Sequence, residues 1–265
     1  MIASEALRVA AARIDRLDAE VLLAHSVGVA RMDLLLDLVR IVDPAIFAKL
    51  VDRRAAGEPV AYITGSREFW SIDLAVTPDV LIPRPDSETL IEAAVAHFTG
   101  TPGPGRVLDL GTGSGALLLA ALVEWPAATG VGVDASAAAL AVATGNTERL
   151  GIGDRATFLE GGWDAADGMF DLVLCNPPYI ATGEVLPRDV VDWEPASALF
   201  AGADGCDDYR ALAPLFGDYL RPGGVGCIEI GSTQAAVAKL FAARGLSVVL
   251  RLDLAGLPRC FVVTK

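Results

Sequence analysis

Over the first sixty residues, apolar side chains recur at spacings of three and four, the pattern of amphipathic helices. The pattern is clearest over residues 7–14, 17–25 and 32–39. Asp43-Pro44 indicates the start of a further helix, because a capping carboxylate precedes a proline in the first turn. Short helices with short connections predict a small helical bundle over residues 1–60.

The pattern changes after Tyr62. Apolar and polar residues partly alternate from Phe69 to Val76, which predicts a β-hairpin. Pro83 and Pro85 then disfavour a helix, so the chain should be extended or turned there. We therefore predict a hairpin linker over residues 61–85.

From residue 86 to residue 265, short apolar runs alternate with helical patterns. This alternation predicts an α/β fold, a Rossmann-like parallel sheet with helices on both faces. The predicted strands cover residues 106–110, 130–133, 156–159, 170–175, 224–230, 247–252 and 259–263, and the predicted helices cover residues 87–97, 116–124, 136–150, 209–220 and 233–244.

Composition and charge limit the partners, the metal sites and the location that we expect for this chain. The formal net charge of −13 over 265 residues, without a basic run, favours a protein or small-molecule partner over nucleic acid. No cysteine pair has C-x-x-C spacing and both histidines are isolated, so no metal site is expected. No signal peptide or long apolar run is visible, which predicts a cytoplasmic protein with no membrane contact.

A glycine-rich loop follows the strand at residues 106–110, and a helix follows the loop. Its G-x-G-x-G pattern differs from the G-x-G-x-x-G of dinucleotide folds, whose helix N-terminus faces a pyrophosphate. S-adenosylmethionine has no phosphate and suits such a loop, with Asp109 as an anion for its ammonium and Asp134 on its ribose diol. A tight turn without a ligand is the alternative. The predicted cofactor-binding residues are Asp109, Gly111, Thr112, Gly113, Ser114, Gly115 and Asp134.

The strand at residues 170–175 ends in Asn176-Pro177-Pro178-Tyr179, beside the predicted loop. These residues suit a planar nitrogen nucleophile, whose two N–H groups need two acceptors. The Asn176 oxygen and the Pro177 carbonyl are the predicted acceptors, and Tyr179 offers a face for stacking. The alternative is a rigid Pro-Pro turn that only caps the strand. The tetrapeptide is predicted to bind the substrate, with Asn176, Pro177 and Tyr179 as the catalytic residues and Asn176 also beside the cofactor.

Nearly the whole chain resembles the HemK/PrmC family of release-factor glutamine methyltransferases. The resemblance is carried, besides the glycine loop and the tetrapeptide, by Leu17-Asp18-Ala19-Glu20, Leu22-Leu23-Ala24-His25, Gly57-Glu58-Pro59-Val60-Ala61-Tyr62-Ile63-Thr64-Gly65, Arg67-Glu68-Phe69-Trp70, Leu81-Ile82-Pro83-Arg84-Pro85-Asp86-Ser87-Glu88, Glu194-Pro195, Asp204-Gly205, Tyr209-Arg210, Pro222-Gly223-Gly224 and Glu229-Ile230-Gly231.

The resemblance implies a class I methyltransferase fold. It also implies transfer of a methyl group from S-adenosylmethionine to N5 of the glutamine in the Gly-Gly-Gln motif of class I release factors, with S-adenosylhomocysteine as product. It further implies that the helical part docks the factor, that the tetrapeptide holds the amide and that Trp163 lies near the cofactor. A monomer without direct nucleic-acid contact is expected.

Two features depart from the family pattern. Gly162 stands where the family usually has an acidic residue, so Asp164 is a candidate for that contact. Arg188-Asp189 replaces a more usual Pro-Glu, within an atypical region at residues 180–192. Three alternatives remain: a ribosomal-protein glutamine methyltransferase, a nucleic-acid amino-methyltransferase, and a domain that binds without catalysis.

Overall fold

The computed structural model describes all residues from 1 to 265 and divides them into two compact units. Unit 1 comprises Met1–Ser66 and Leu186–Trp193, and unit 2 comprises Arg67–Val185 and Glu194–Lys265. The predicted linker at residues 61–85 is thus divided between the units. The segment Leu186–Trp193, which we placed in the methyltransferase domain, belongs to unit 1, where its Asp189 lies 3.8 Å from Arg54.

Unit 1 is helical, as the spacing of its apolar residues predicts. Its helices are α1 (Ala3–Ala10), α2 (Arg16–Val27), α3 (Arg31–Leu36), α4 (Pro44–Ala55), α5 (Val60–Thr64) and, from the later segment, α9 in chain order (Arg188–Val191). The Asp43 carboxylate accepts hydrogen bonds from the Ala45 and Ile46 N–H groups, which confirms the predicted start of α4. The buried core includes Leu7, Leu22, Leu23, Leu34, Phe47, Val51 and Ile63.

Two carboxylates at the start of α2 hold the helices of unit 1 together. Asp18 accepts a 2.6 Å hydrogen bond from Arg54 of α4. Glu20 is only 6% exposed and accepts from Arg16 and Arg31, each at 2.7 Å. The hydrogen bond from Arg16 is the main cause of the lowered pKa of Glu20. These two members of the Leu17–Glu20 motif therefore have a structural role.

The predicted hairpin is formed by β1 (Ser66–Phe69) and β2 (Ile72–Ala75). Its two turn residues, Trp70 and Ser71, have positive φ angles of 49° and 62°. Positive φ at both positions matches the twist of the flanking strands in two-residue hairpin loops. The Trp70 N–H donates to Glu88 at 3.0 Å, which anchors the turn.

The main sheet has seven strands in the order β5-β4-β3-β6-β7-β9-β8. The first five are parallel. They are β3 (Arg106–Leu110), β4 (Thr129–Asp134), β5 (Ala156–Glu160), β6 (Phe170–Cys175) and β7 (Leu220–Glu229), followed by β8 (Ser247–Leu252) and β9 (Pro258–Thr264). One strand departs from the predicted parallel arrangement, since β9 runs antiparallel to both β7 and β8. The short connection between β8 and β9 can join only antiparallel strands.

Helices cover both faces of this sheet, as predicted. They are α6 (Glu88–Phe98), α7 (Ala116–Glu124), α8 (Ala137–Arg149), α10 (Asp207–Tyr219) and α11 (Ala238–Ala242), with 3₁₀ turns at Pro85–Ser87, Ala196–Ala198 and Ala235–Val237. Alternate residues of β3 enter different cores, with Val107 in one and Leu108 in the other. The helix predicted over residues 233–244 is shorter than expected. No helix is both long and apolar enough to cross a membrane.

Candidate active site

A cavity of about 550 Å³ in unit 2 contains most of the predicted site residues. It opens at the carboxyl ends of the parallel strands, where ligands bind in open α/β sheets. Its volume falls within the range of small-molecule sites. Of the predicted residues, the cavity is lined by Gly111, Thr112, Gly113, Ser114, Asp134, Trp163, Asn176 and Pro178. Asp109, Gly115, Pro177 and Tyr179 do not line it.

The glycine loop brings bare backbone to the cavity. Gly111, Gly113 and Gly115 have φ angles of 73°, 54° and 83°, a region that side chains disfavour. The Gly111 and Thr112 N–H groups both donate to the Val133 carbonyl at 2.9 Å, which ties the loop to β4. A Cβ atom on Gly111 would lie 3.3 Å from the Trp163 ring. The glycines therefore allow the turn and keep this side of the cavity open.

Asp134 ends β4 with both carboxylate oxygens held by backbone. Oδ2 accepts from the Gly113 N–H and Oδ1 from the Ser136 N–H, each at 2.9 Å. Asp134 also lines the cavity. Because two elements fix it, this carboxylate is oriented before any ligand arrives.

The loop is also tied to the preceding hairpin. Asn146 on α8 is 1% exposed, and its Oδ1 accepts from the Ala75 N–H at 2.7 Å. Its Nδ2 donates to the carbonyls of Ala75 and Ser114 at 3.0 and 2.9 Å. Sequence reasoning missed this residue, whose partners lie far from it along the chain.

Asp109 lies beneath the loop. Its Oδ2 accepts from the Thr112 hydroxyl at 2.7 Å and the Leu118 N–H at 3.3 Å, whereas its buried Oδ1 has no partner. Burial raises the pKa of Asp109 to about 7, against the opposing effect of these two hydrogen bonds. The contacts of Asp109 join the loop to α7, and its predicted contact with the cofactor stays a prediction.

Asp109 should make stability fall with rising pH. Its pKa in the folded protein is about 7, above the ordinary 3.8, so its stabilising contribution is complete below pH 4 and lost as the pH rises through 7. We expect the free energy of unfolding to fall between pH 5 and pH 8 by about 2–3 kcal/mol more in the unsubstituted protein than in Asp109→Asn. Urea unfolding without cofactor measures both, and parallel pH profiles would contradict the assignment.

Trp163 forms one wall of the cavity and is held at both ends. Its indole Nε1 donates to Asp208 at 3.0 Å, and its carbonyl accepts from the Tyr219 hydroxyl at 2.9 Å. Burial raises the pKa of Asp208. Asp208 lines the cavity and Asp164 does not, and the contact proposed for Asp164 from the sequence stays a prediction. Asp208 lies on α10, 45 residues further along the chain than Trp163, so the sequence around residue 162 does not indicate it.

Asn176 follows β6 and faces the cavity. Its Nδ2 donates to the Ser87 hydroxyl at 3.3 Å, and the Ser87 hydroxyl donates to Glu229 Oε2 at 2.5 Å. Glu229 Oε1 accepts from the Tyr179 hydroxyl at 3.1 Å. A single buried carboxylate thus connects two of the predicted catalytic residues.

Glu229 is 1% exposed, and burial raises its pKa. The hydrogen bond from Ser87, the charge of Arg259 and the hydrogen bond from Tyr179 all oppose that rise. Burial also raises the pKa of Tyr179, so the Tyr179 hydroxyl keeps its proton and donates. Sequence reasoning noted Ser87 and Glu229 only as parts of family motifs.

Arg84 and Glu88 do not pair with each other. Arg84 donates to Glu194 at 2.5 Å, and Glu194 also accepts from the Ile82 N–H at 3.2 Å. Glu88 accepts from Trp70. Arg84 lines the cavity, so the residues just before the 3₁₀ turn at Pro85–Ser87 are fixed beside the site.

Comparisons with known proteins identify relatives of both parts of the chain. Residues 2–65 match the family described as PrmC N-terminal domain, and residues 87–192 match the family described as Methyltransferase small domain. A protein of Rhodospirillum rubrum named release factor glutamine methyltransferase is 42% identical over 98% of this chain and 82% of its own length. A protein of Cereibacter sphaeroides with the same name is 45% identical over 91% of this chain and 88% of its own length.

Among solved structures, a methyltransferase from Pyrococcus furiosus matches 82% of this chain and 97% of its own, with a TM-score of 0.55. The two chains are 17% identical, so this similarity concerns the fold. It supports the class I methyltransferase architecture that the resemblance implied.

Proposed function

Because this chain belongs to the release factor glutamine methyltransferase family, we propose that it methylates the side-chain amide nitrogen of the glutamine in the Gly-Gly-Gln motif of class I release factors. The donor is S-adenosylmethionine and the product S-adenosylhomocysteine. The observation that carries the proposal is the position of Asn176 in one cavity with the glycine loop and Asp134. The substrate acts on ribosomes, so we place the reaction in the cytoplasm.

The residues present suit the cofactor. The loop offers bare backbone to its methionine end, and the fixed carboxylate of Asp134 can accept two hydrogen bonds from a ribose diol. Trp163 offers an apolar wall. Bound there, S-adenosylmethionine supplies an electrophilic methyl group.

Asp134→Ala should weaken binding of S-adenosylmethionine by about 1–3 kcal/mol, because the ribose hydroxyls and the Gly113 N–H lose their acceptor. Titration calorimetry measures the affinity. Asp154→Ala removes an exposed carboxylate elsewhere in unit 2 and is the matched control. Equal affinities of Asp134→Ala and the control would remove the ribose assignment.

The chain's own residues act on the acceptor nitrogen. An amide nitrogen is a weak nucleophile, because its lone pair is delocalised. The Asn176 oxygen and the Pro177 carbonyl can each accept one of its two N–H groups, which orients the lone pair and stabilises the positive charge that develops on the nitrogen. The nitrogen gains a methyl group and then releases one proton, so no base is required beforehand.

Mass spectrometry tests the proposal directly. The purified protein is incubated with a class I release factor, ribosomal proteins or RNA, each with isotope-labelled S-adenosylmethionine. We expect one labelled methyl group on the glutamine of the Gly-Gly-Gln motif. Label on a ribosomal protein or on RNA alone would support an alternative substrate, and label on nothing would support a binding role without catalysis.

We also propose that unit 1 docks the release factor. The support is a group of exposed apolar side chains in and after α3, where Leu36 is 85% exposed and Val39 and Ile41 are 75% exposed. Deleting the first fifty residues is a poor test, because the cut falls inside α4 and exposes the core residue Val51.

Leu36→Ser combined with Val39→Ser should raise the KM for an intact release factor about tenfold, which corresponds to roughly 1.4 kcal/mol of lost apolar contact. The KM for a short Gly-Gly-Gln peptide should not change. Leu254→Ser, at a residue of unit 2 that is 99% exposed, is the control. An unchanged KM for the intact factor would show that this surface does not dock it.

A further inference from the structure

Asn176 can serve the proposed reaction in only one of its two amide orientations. Its oxygen must face the cavity to accept a hydrogen bond from the substrate amide. Rotation by 180° would place its NH₂ group there, and a donor would then meet the two N–H donors of the glutamine. Oxygen and nitrogen occupy nearly the same volume, so only a hydrogen bond on the far side can select the orientation.

Ser87 supplies that bond, and Glu229 determines its direction. A serine hydroxyl has one proton and can donate only once. Ser87 donates this proton to Glu229 Oε2, so toward Asn176 its oxygen can only accept. Asn176 must therefore turn its Nδ2 toward Ser87, and the 3.3 Å contact has this direction. With Nδ2 on Ser87, the Asn176 Oδ1 is left for the substrate.

The other contacts of Glu229 favour its ionised form and therefore this order. Glu229 is 1% exposed, and its other oxygen accepts from the Tyr179 hydroxyl at 3.1 Å. Both oxygens thus receive donors, and the Arg259 guanidinium adds a nearby positive charge. Ser87 is itself 4% exposed, so water has little access to replace these bonds.

We propose that Glu229 and Ser87 are positioning residues, which hold the Asn176 oxygen toward the substrate and thereby select a glutamine amide over a glutamate carboxylate. This inference rests on the proposed function. Ser87 makes two hydrogen bonds, one with Asn176 and one with Glu229. The inference predicts that a variant in which both bonds run in the opposite direction is more active than a variant in which only one is reversed.

A double-mutant cycle tests this prediction. Asn176→Asp places an oxygen against the Ser87 oxygen, and only one of the two neighbouring carboxylates can receive the Ser87 proton. Adding Glu229→Gln provides an NH₂ group that donates to Ser87, which frees the Ser87 proton for the new carboxylate. The carboxylate oxygen on the cavity side still accepts from the substrate. We therefore expect the double variant to have a kcat at least tenfold above that of Asn176→Asp alone.

Glu229→Gln alone should lower kcat, since its NH₂ group donates to Ser87, the Ser87 hydroxyl then donates to Asn176, and the Asn176 amide turns its own NH₂ group toward the substrate. The rescue should disappear in the Ser87→Ala background, because the coupling passes through the hydroxyl. Affinity for S-adenosylmethionine, measured by calorimetry, should stay within about twofold between Asn176→Asp and the double variant, which separates this effect from a general loss of structure.

The opposite outcome is clear. The positioning role is wrong if the double variant shows the product of the two separate reductions in kcat. It is also wrong if the rescue of kcat persists in the Ser87→Ala background. For every variant, the measured quantity is the rate at which the labelled methyl group is transferred to the release factor. If the unsubstituted protein methylates the factor but the cycle shows no rescue, only this inference fails, whereas no methylation by the unsubstituted protein refutes the proposed function.

Discussion

Asn176→Ala should lower kcat for release-factor methylation by about 10²–10³-fold, the usual effect of removing one group that stabilises developing charge. Alanine removes the acceptor for one substrate N–H group and leaves the Ser87 oxygen without its donor. Because the lost interaction is strongest in the transition state, kcat and kcat/KM should fall together. Single-turnover methyl transfer measures the effect without a contribution from product release.

Affinity for S-adenosylmethionine separates a catalytic effect from a binding effect. The cofactor contacts that we propose for the glycine loop, Asp134 and Trp163 do not depend on Asn176, so calorimetry of Asn176→Ala should show an affinity within about tenfold of the unsubstituted protein. A fully active Asn176→Ala would refute the mechanism. An equal loss of cofactor affinity and turnover would mean that Asn176 serves the cofactor and not the amide.

The second large effect concerns the substrate. A release factor with glutamate in place of the motif glutamine should be methylated about 10⁴-fold more slowly, a discrimination that hydrogen-bonding sites reach against an isostere. Glutamine offers two N–H donors to two acceptors. A carboxylate would face the Asn176 oxygen and the Pro177 carbonyl with acceptors only, which leaves all of these groups unpaired.

Single-turnover transfer to the two factors gives this ratio, with mass spectrometry to locate the methyl group. A Gln→Asn factor is a useful control, because it keeps the amide and shortens its reach by one methylene group. Equal rates on the glutamine and glutamate factors would show that the two acceptors do not select the nucleophile.

The local sequence was enough to predict much of the site. The glycine loop, the strand ends at Asp134 and Asn176, and the capped start of α4 were all found from short segments. Each depends on hydrogen bonds or φ angles within a few residues, such as the Asp43 side chain and the first turn of α4. Apolar spacing likewise predicted strands and helices, since burial of one face imposes a period on the chain.

Side-chain partners far apart along the chain were beyond this reasoning. Ser87 and Glu229 are 142 residues apart, and Trp163 and Asp208 are 45 residues apart. The hydrogen bond between Trp163 and Asp208 could therefore not be found from the sequence near Trp163. The contacts of Asp109 within the loop are local, and its predicted contact with the cofactor stays a prediction.

The same limit applies to the order of strands and the division into units. Apolar runs do not reveal strand direction, so the antiparallel β9 was missed, and nothing in residues 186–193 indicates that they belong with unit 1. The sequence by itself determined the elements and the glycine-rich loop, because backbone geometry is local, and residue chemistry indicated the type of nucleophile. Only the tertiary structure decided which buried polar groups meet, because each must find its partner among all elements that pack around it.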